Sequence, residues 1–208
     1  MKELLAFTFD PIACRAELDE FRALLAASPE LEERRDILPF FREKRHLSAF
    51  IGSYSPYVSQ CDQLAYEYSL FGDFACDLVA GYSEARSYCF VEFEDARNDS
   101  IFVRRKGKST PEWSSRFEHG FSQLVDWFWK LDDARPSAEF RHRFGPRQPY
   151  ILGMLVVGRD HALQDREQHR LDWRLARVVV DSKPVLCLTY DQLLAQLDKR
   201  LERYTLSA

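Results

Sequence analysis

The sequence has no C-x-x-C pair, no long apolar run and no surplus of positive charge. Its five cysteines, Cys14, Cys61, Cys76, Cys89 and Cys187, are widely spaced and odd in number. That pattern argues against a zinc site and against a disulfide framework, and it fits a reducing, cytoplasmic setting. The longest apolar run, Ile151 to Val157, is far below the roughly 20 residues that span a bilayer. The N-terminal run Leu4 to Phe9 stops at Asp10, so neither a signal peptide nor a membrane anchor is expected. Lys and Arg total 29 against 33 Asp and Glu, a net charge of −4. The molecule as a whole is therefore not drawn to polyanions, and any nucleic-acid contact has to use a local patch. Internal repeats and low-complexity segments are absent as well.

What is present is ordinary globular usage. Hydrophobic residues make up 46% and charged residues 30% of the 208, a balance that can bury a core. Sixteen Phe imply that the core is bulky. One domain over residues 1–208 is expected, with a strand and helices in 1–60 and the main core in 61–208. Leu4 to Phe9 reads as a short strand, and Asp10-Pro11 as an N-cap with proline at the first helical position. Leu18, Phe21, Leu24 and Leu25 recur at helical spacing. A second helix is expected over Glu32 to Lys44, perturbed by Pro39. Three strand-like runs follow, Leu64–Leu70, Phe74–Ala80 and Tyr88–Glu94, punctuated by Gly72 and Gly81. Ser109 or Thr110 then caps a helix reaching about Lys130, with Trp113, Phe117, Phe121, Leu124 and Phe128 as its buried stripe. Ala134 to Gln148 reads as a loop and Tyr150 to Val157 as a strand. A polar, Arg-rich helix comes next, then a last strand at Val185–Leu188 and a helix opened by Thr189 and Gln192 as a capping box. Strands alternating with helices in this way predict a mixed α/β fold, a central sheet flanked by helices.

The chemistry concentrates on two of the strands. Asp77 lies in one and Glu92 in the next, and strand alternation puts Glu92 and Glu94 on one face, where Asp77 converges with them if the pairing is in register. Three crowded carboxylates raise one another's pKa, and a hard cation with oxygen ligands relieves the repulsion. Mg²⁺, or Mn²⁺ in its place, follows as the expected cofactor. His119 and Gln123 are four apart and share a helical face with Arg116. The runs Arg104-Arg105-Lys106-Gly107-Lys108 and Arg141-His142-Arg143 to Arg147 are candidates for gripping phosphates.

The stretches Cys76-Asp77-Leu78-Val79, Val91-Glu92-Phe93-Glu94-Asp95-Ala96, Gln123-Leu124-Val125-Asp126-Trp127 and Thr189-Tyr190-Asp191-Gln192-Leu193-Leu194 together resemble the PD-(D/E)xK nuclease superfamily. More narrowly they resemble the Shedu anti-phage defence nucleases, over roughly residues 64 to 204. The resemblance implies a restriction-endonuclease-like central mixed sheet, a Mg²⁺-dependent endonuclease that hydrolyses DNA phosphodiesters, and self-association. It implies Asp77 and Glu92 as metal ligands, and a supporting role for Gln123 on the following helix. It also implies a lysine two residues after the glutamate, and that position holds Glu94. A carboxylate brings no positive charge to a developing phosphorane, so Arg97, Lys106 and Lys108 stand as candidate substitutes.

Plainer readings run alongside. Acidic residues on strands often serve as edge or salt-bridge groups, and the basic runs are by default solvated loops. Gln123 is equally suited to bonding a loop, and a lone helical His119 is more often structural. Trp127 and Trp129 sit on a strongly amphipathic helix and read as core rather than as a base-stacking platform. Asp73 shares Asp77's strand parity, although its place beside Gly72 suits a turn. The missing lysine motivates an alternative function: a catalytically weak nucleic-acid-binding or protein-interaction module on the same fold.

Overall fold

Asp10 opens the first helix as read from sequence. Its carboxylate accepts from the amides of Ile12 (2.8 Å) and Ala13 (3.3 Å), and Pro11 takes the first position, where the absent amide costs nothing. This helix, α1, runs Pro11–Ala27 and buries Cys14, Leu18, Phe21 and Leu25. The computed structural model describes residues 3–207, so the ends of the expected 1–208 span lie outside the described residues. The first strand, β1 (Leu5–Ala6), is shorter than the apolar run suggests because its antiparallel partner begins only at Gln63. Pro39 splits the helix expected over Glu32 to Lys44. Glu33–Ile37 forms a π-helical turn, and a fresh helix, α2 (Leu38–Glu43), carries Pro39 in its first turn, where it breaks no hydrogen bond. A short helix without a sequence signal, α3 (Arg45–Ile51), follows.

The meander forms where alternation placed it, as β2 (Gln63–Leu70), β3 (Phe74–Tyr82) and β4 (Ser87–Phe93). A small hairpin of β5 (Phe102–Val103) and β6 (Glu112–Trp113) then delays the next helix. Helix α4 spans Ser115–Ala134, and its N-cap is Ser114, not Ser109 or Thr110. Trp113 consequently lies in the hairpin, stacked between Phe102 (4.4 Å) and Phe117 (4.7 Å). The segment read as a loop contains helix α5 (Ala138–Phe144), capped by Ser137 and burying Phe140 and Phe144. Then come β7 (Tyr150–Val156), α6 (Asp165–Arg177), a hairpin of β8 (Val179–Val180) and β9 (Lys183–Pro184), β10 (Leu186–Leu188) and α7 (Tyr190–Ser207). Thr189 and Gln192 exchange the capping-box bonds read from sequence.

Six strands form one mixed sheet in the order β1-β2-β3-β4-β7-β10. The β1 to β4 pairs are antiparallel, whereas β4, β7 and β10 are parallel. Parallel neighbours need a crossover, which α4 with α5 supplies once and α6 supplies again. One sheet face packs on α1, α2, α3 and α7 through Phe21, Phe41, Phe93, Tyr190 and Leu197. The other packs on α4, α5 and α6 through Phe117, Leu124, Trp127, Phe144 and Leu171. Trp129, by contrast with Trp127, is exposed. All five cysteines are buried free thiols. Arg159, buried at 6% exposure, closes the seam between α1 and α7. It donates to both oxygens of Asp191 (3.2 and 3.0 Å) and to the carbonyls of Leu25 (3.1 Å) and Ser28 (3.0 Å). Among the described residues no helix is long and apolar enough to cross a membrane.

Candidate functional site

Residues two apart on a strand ordinarily share a face. β2 and β3 break that rule together. Tyr66 and Tyr68 pack on opposite sides of the sheet, and so do Leu78 and Cys76. Between them Glu67 has φ 47°, and the pairing passes from Tyr66↔Leu78 to Tyr68↔Cys76, skipping Glu67 and Asp77. Both strands thus turn over at one level. Asp77 reaches along the sheet instead of standing off it, and its Oδ2 accepts the Phe93 amide of β4 at 2.8 Å. The Glu67 carboxylate is ion-paired with Arg42 of α2.

Glu92 and Glu94 face α4, at 7% and 4% exposure. Gln123 donates its amide to Glu92 Oε1, and the same nitrogen lies 3.2 Å from Nε2 of His119. Glu94 is seated against Gly120 of α4. A Cβ there would lie 3.2 Å from Glu94 Cγ and 2.6 Å from Leu155 Cδ1. Only a residue without a side chain lets the helix come this near. Tyr190, the first residue of α7, donates its hydroxyl to the Glu94 carbonyl at 2.6 Å and so holds the end of β4 from the opposite face.

A fourth acid joins from the N-terminal segment. Leu31 and Ala96 exchange backbone hydrogen bonds (3.2 and 2.9 Å), and Asp95 accepts the Glu33 amide at 2.8 Å. Glu33 is thereby held beside the acids of β4. The electrostatics reflect the crowding. Burial pushes Asp77 up to about 6, with Glu33 adding to the rise and the Phe93 amide opposing it. Glu92 is pushed up to about 10, first by burial and then by the charges of Asp77 and Glu94. Burial followed by the charge of Glu33 raises Glu94 to about 8. Glu33 is itself raised, again chiefly by burial. The charges of Asp77 and Glu94 thus act on Glu92, and Glu33, which strand motifs did not reveal, acts on all three. Among the described residues no group of three or more His, Cys, Asp or Glu side chains is assembled as a ready set of metal ligands. The chemistry of the donors nevertheless fits a hard cation: several carboxylates whose proton affinity is raised by burial and by neighbouring negative charge.

The cations acting on these acids are only in part those singled out in the sequence. Arg116 bonds Asp95 at 2.8 Å, and its charge opposes the rise of both Glu33 and Glu94. Arg34 and Arg42 do the same for Asp77. Arg97 is bonded to Glu32 at 2.8 Å and also pairs with Asp95 at 3.7 Å, while Lys108 is bonded to Glu112. In the basic hairpin, Arg104 pairs with Glu167 (3.0 Å) and Arg105 with Glu112 (2.6 Å), while Lys106 is exposed. Arg141 donates to the Pro136 carbonyl at 2.8 Å. Arg143 is built into the fold at 9% side-chain exposure, bonded to Glu139 and to the Ser69 carbonyl (2.6 Å) and lying 4.6 Å over Phe71. Asp73, the rival to Asp77, sits in the hairpin turn and pairs with Lys130 at 2.6 Å.

Comparison with known proteins adds two findings. The family model described as Shedu protein SduA, C-terminal, matches residues 30–194. No curated protein matches the chain.

Proposed function

The chain belongs to the family of Shedu protein SduA, C-terminal, and from that membership we propose that it is a Mg²⁺-dependent endonuclease that hydrolyses DNA phosphodiesters in anti-phage defence. The observation that carries the reading is the set Asp77, Glu92, Glu94 and Glu33, carboxylates raised chiefly by burial, with the charge of Glu33 adding to the rise of the other three. Proteins rarely leave such repulsion in place without a use for it. The order of elements supports the PD-(D/E)xK comparison: a helical segment, three antiparallel strands, a crossover helix bearing Gln123, then a strand parallel to the third.

Asp77 and Glu92 hold the cation, Mg²⁺ or Mn²⁺, in this reading. When bound, the ion supplies Lewis acidity to the scissile phosphate and its attacking water. Glu92 must lose its proton to bind, so affinity for the ion rises with pH. Glu94 tunes the field beside them. Gln123, whose nitrogen is engaged by Glu92, keeps its carbonyl oxygen to orient water or phosphate. Arg104, Arg105, Lys106 and Lys108, with Arg141 and Arg143 beyond, are the groups assigned to the DNA backbone, and Lys106 is the one with its charge most freely presented. Self-association is part of the same proposal.

A second reading rests on Glu94 itself. It places a buried carboxylate where the superfamily carries lysine, which favours a nucleic-acid-binding or interaction module of weak catalytic power. One assay separates the two. Wild type, Glu92→Ala and Glu94→Lys, matched for folded fraction, are incubated with linear and circular DNA and with RNA in Mg²⁺, Mn²⁺ or chelator. The endonuclease reading expects metal-dependent cleavage by the wild type, its loss in Glu92→Ala and an increase in Glu94→Lys. No cleavage by any of the three with either metal leaves the binding module as the function.

A further inference from the structure

The C-terminal helix carries two stripes. Tyr190, Leu193, Leu197 and Leu201 form its buried one. Beside it, Gln196, Lys199, Arg200, Arg203 and Tyr204, spaced at helical intervals, wall a cleft of about 540 Å³ whose opposite side is Phe50, Ser53, Val58 and Ser59. The lining holds three cations and no carboxylate.

Elsewhere on this surface several arginines are matched to acids. Arg15 and Arg22 meet Asp198, Arg104 meets Glu167, and Arg174 meets Glu118. Among the described residues neither Lys199 nor Arg200 has a carboxylate partner. Asp198, beside Lys199 in sequence, is paired with Arg15 and with Arg22 at 3.0 Å. Arg200 is fixed in place: its guanidinium donates to the Ser53 carbonyl at 2.8 Å and lies 4.2 Å over the Tyr54 ring. The Ser53 hydroxyl oxygen in the cleft wall is buried without a hydrogen-bond partner. A ligand atom or a water seated beside it would satisfy it. The floor is aromatic, Phe50 and Tyr204 meeting edge to face at 6.1 Å with Phe9 behind them.

We propose that this cleft binds a nucleoside phosphate, with Lys199, Arg200 and Arg203 on the phosphates and the base against Phe50 and Tyr204. A bare anion would leave most of the volume empty, since clefts of roughly 300–1,000 Å³ suit ligands of nucleotide size. A fatty acid would strand Ser53, Ser59 and Gln196, which suit the edge of a base or a ribose. The cleft is separate from the acid cluster. Ser55 and Ser87 join their hydroxyls at 2.6 Å beside the start of β4, and Glu92 lies five residues further on, about 17 Å at strand rise.

The test is calorimetric titration of the full chain with ATP, AMP, adenosine, inorganic phosphate and a short single-stranded oligonucleotide, all in EDTA so that no metal bridges ligand to acids. Saturable binding of ATP is expected, weaker for AMP, with adenosine and phosphate each far weaker. The exposed pair Lys199→Gln and Arg203→Gln should lower the affinity on the order of tenfold or more, as loss of charge-assisted bonds does. Glu92→Gln should leave it unchanged. No saturation at millimolar ATP would overturn the proposal. So would phosphate binding as tightly as ATP, loss of binding in Glu92→Gln alone, or an oligonucleotide binding tighter per phosphate than ATP, which would make the cleft a strand-backbone contact.

Discussion

Replacing Glu92 by glutamine should stabilise the metal-free protein, and the size of the gain can be worked out. In the fold Glu92 holds its proton up to about pH 10, against an ordinary value of 4.5. At pH 7 the unfolded chain therefore releases a proton that the folded chain keeps. Each unit between 4.5 and 7 costs about 1.4 kcal/mol, or roughly 3–4 kcal/mol in all, an upper bound because buried sites relax and admit water. The sign follows from a raised folded pKa: the contribution to stability is whole below pH 4.5 and is lost as pH climbs toward 10. Glutamine is nearly the same shape, cannot ionise, and still offers Gln123 an oxygen acceptor. Urea denaturation of wild type and Glu92→Gln, in EDTA at a series of pH values, reads the difference. A gain of about 2–3 kcal/mol at pH 7 is expected, shrinking toward zero near pH 4.5, with unchanged urea dependence. In Mg²⁺ the ranking should narrow, because a ligand that binds only the native wild type stabilises it by mass action. A variant no more stable than wild type at pH 7, or a gain that grows toward acid, would refute the reasoning.

Gly120→Ala should destabilise the fold by about 1–3 kcal/mol, since the new methyl overpacks Leu155 and Glu94 and outweighs the gain in helix propensity; a thermal melt would show it, and an unchanged midpoint would mean α4 can move off. At Glu67, glycine should be tolerated and should keep the Phe93 amide protected from hydrogen exchange, whereas valine should cost about 1–2 kcal/mol for its left-handed backbone. The Arg42 pair lost in both variants is exposed and contributes at most about 1 kcal/mol. In the basic hairpin, Lys106→Gln should weaken DNA binding and lower its salt dependence more than Arg104→Gln, because Arg104 is already satisfied by Glu167; equal effects in a salt titration would place the DNA elsewhere.

The strands that carry Asp77 and Glu92 were legible because alternation and bounding glycines are local signals, and so was the α4 face bearing Gln123. What escaped was set at a distance or by short turns. Glu33 lies 44 residues before Asp77 and reaches the cluster only through the Leu31–Ala96 bridge and the Asp95 side chain. Helix α4 begins late because Glu112 and Trp113 find strand partners in Val103 and Phe102, which no capping rule anticipates. Helix α5 is hidden between Pro136 and Gly145, two residues that usually mark loops, although Ser137 at its start was a readable cap. The turnover at Glu67 contradicts the residue's own preference, because nothing in a glutamate announces a left-handed backbone. Of the cations sought near Glu94, Arg97 bonds Glu32 and Lys108 bonds Glu112, whereas Arg116, which helical spacing put on the face of Gln123, is the one whose charge opposes the rise of Glu94.

Arg159 sets a limit on how this protein could be shortened or grafted. The family match begins at residue 30, yet the guanidinium draws acceptors from Leu25 and Ser28, both upstream of that boundary. A chain starting at the family boundary would keep Asp191 but strand the rest of a buried cation, and it would strip α1 from Cys14 to Leu25 off the flank of α7. The recognisable unit of descent and the cooperative unit of folding are thus not the same length. Transplanting the acid-bearing core into another protein would require carrying its first helix along, or giving Arg159 other carbonyls to hold.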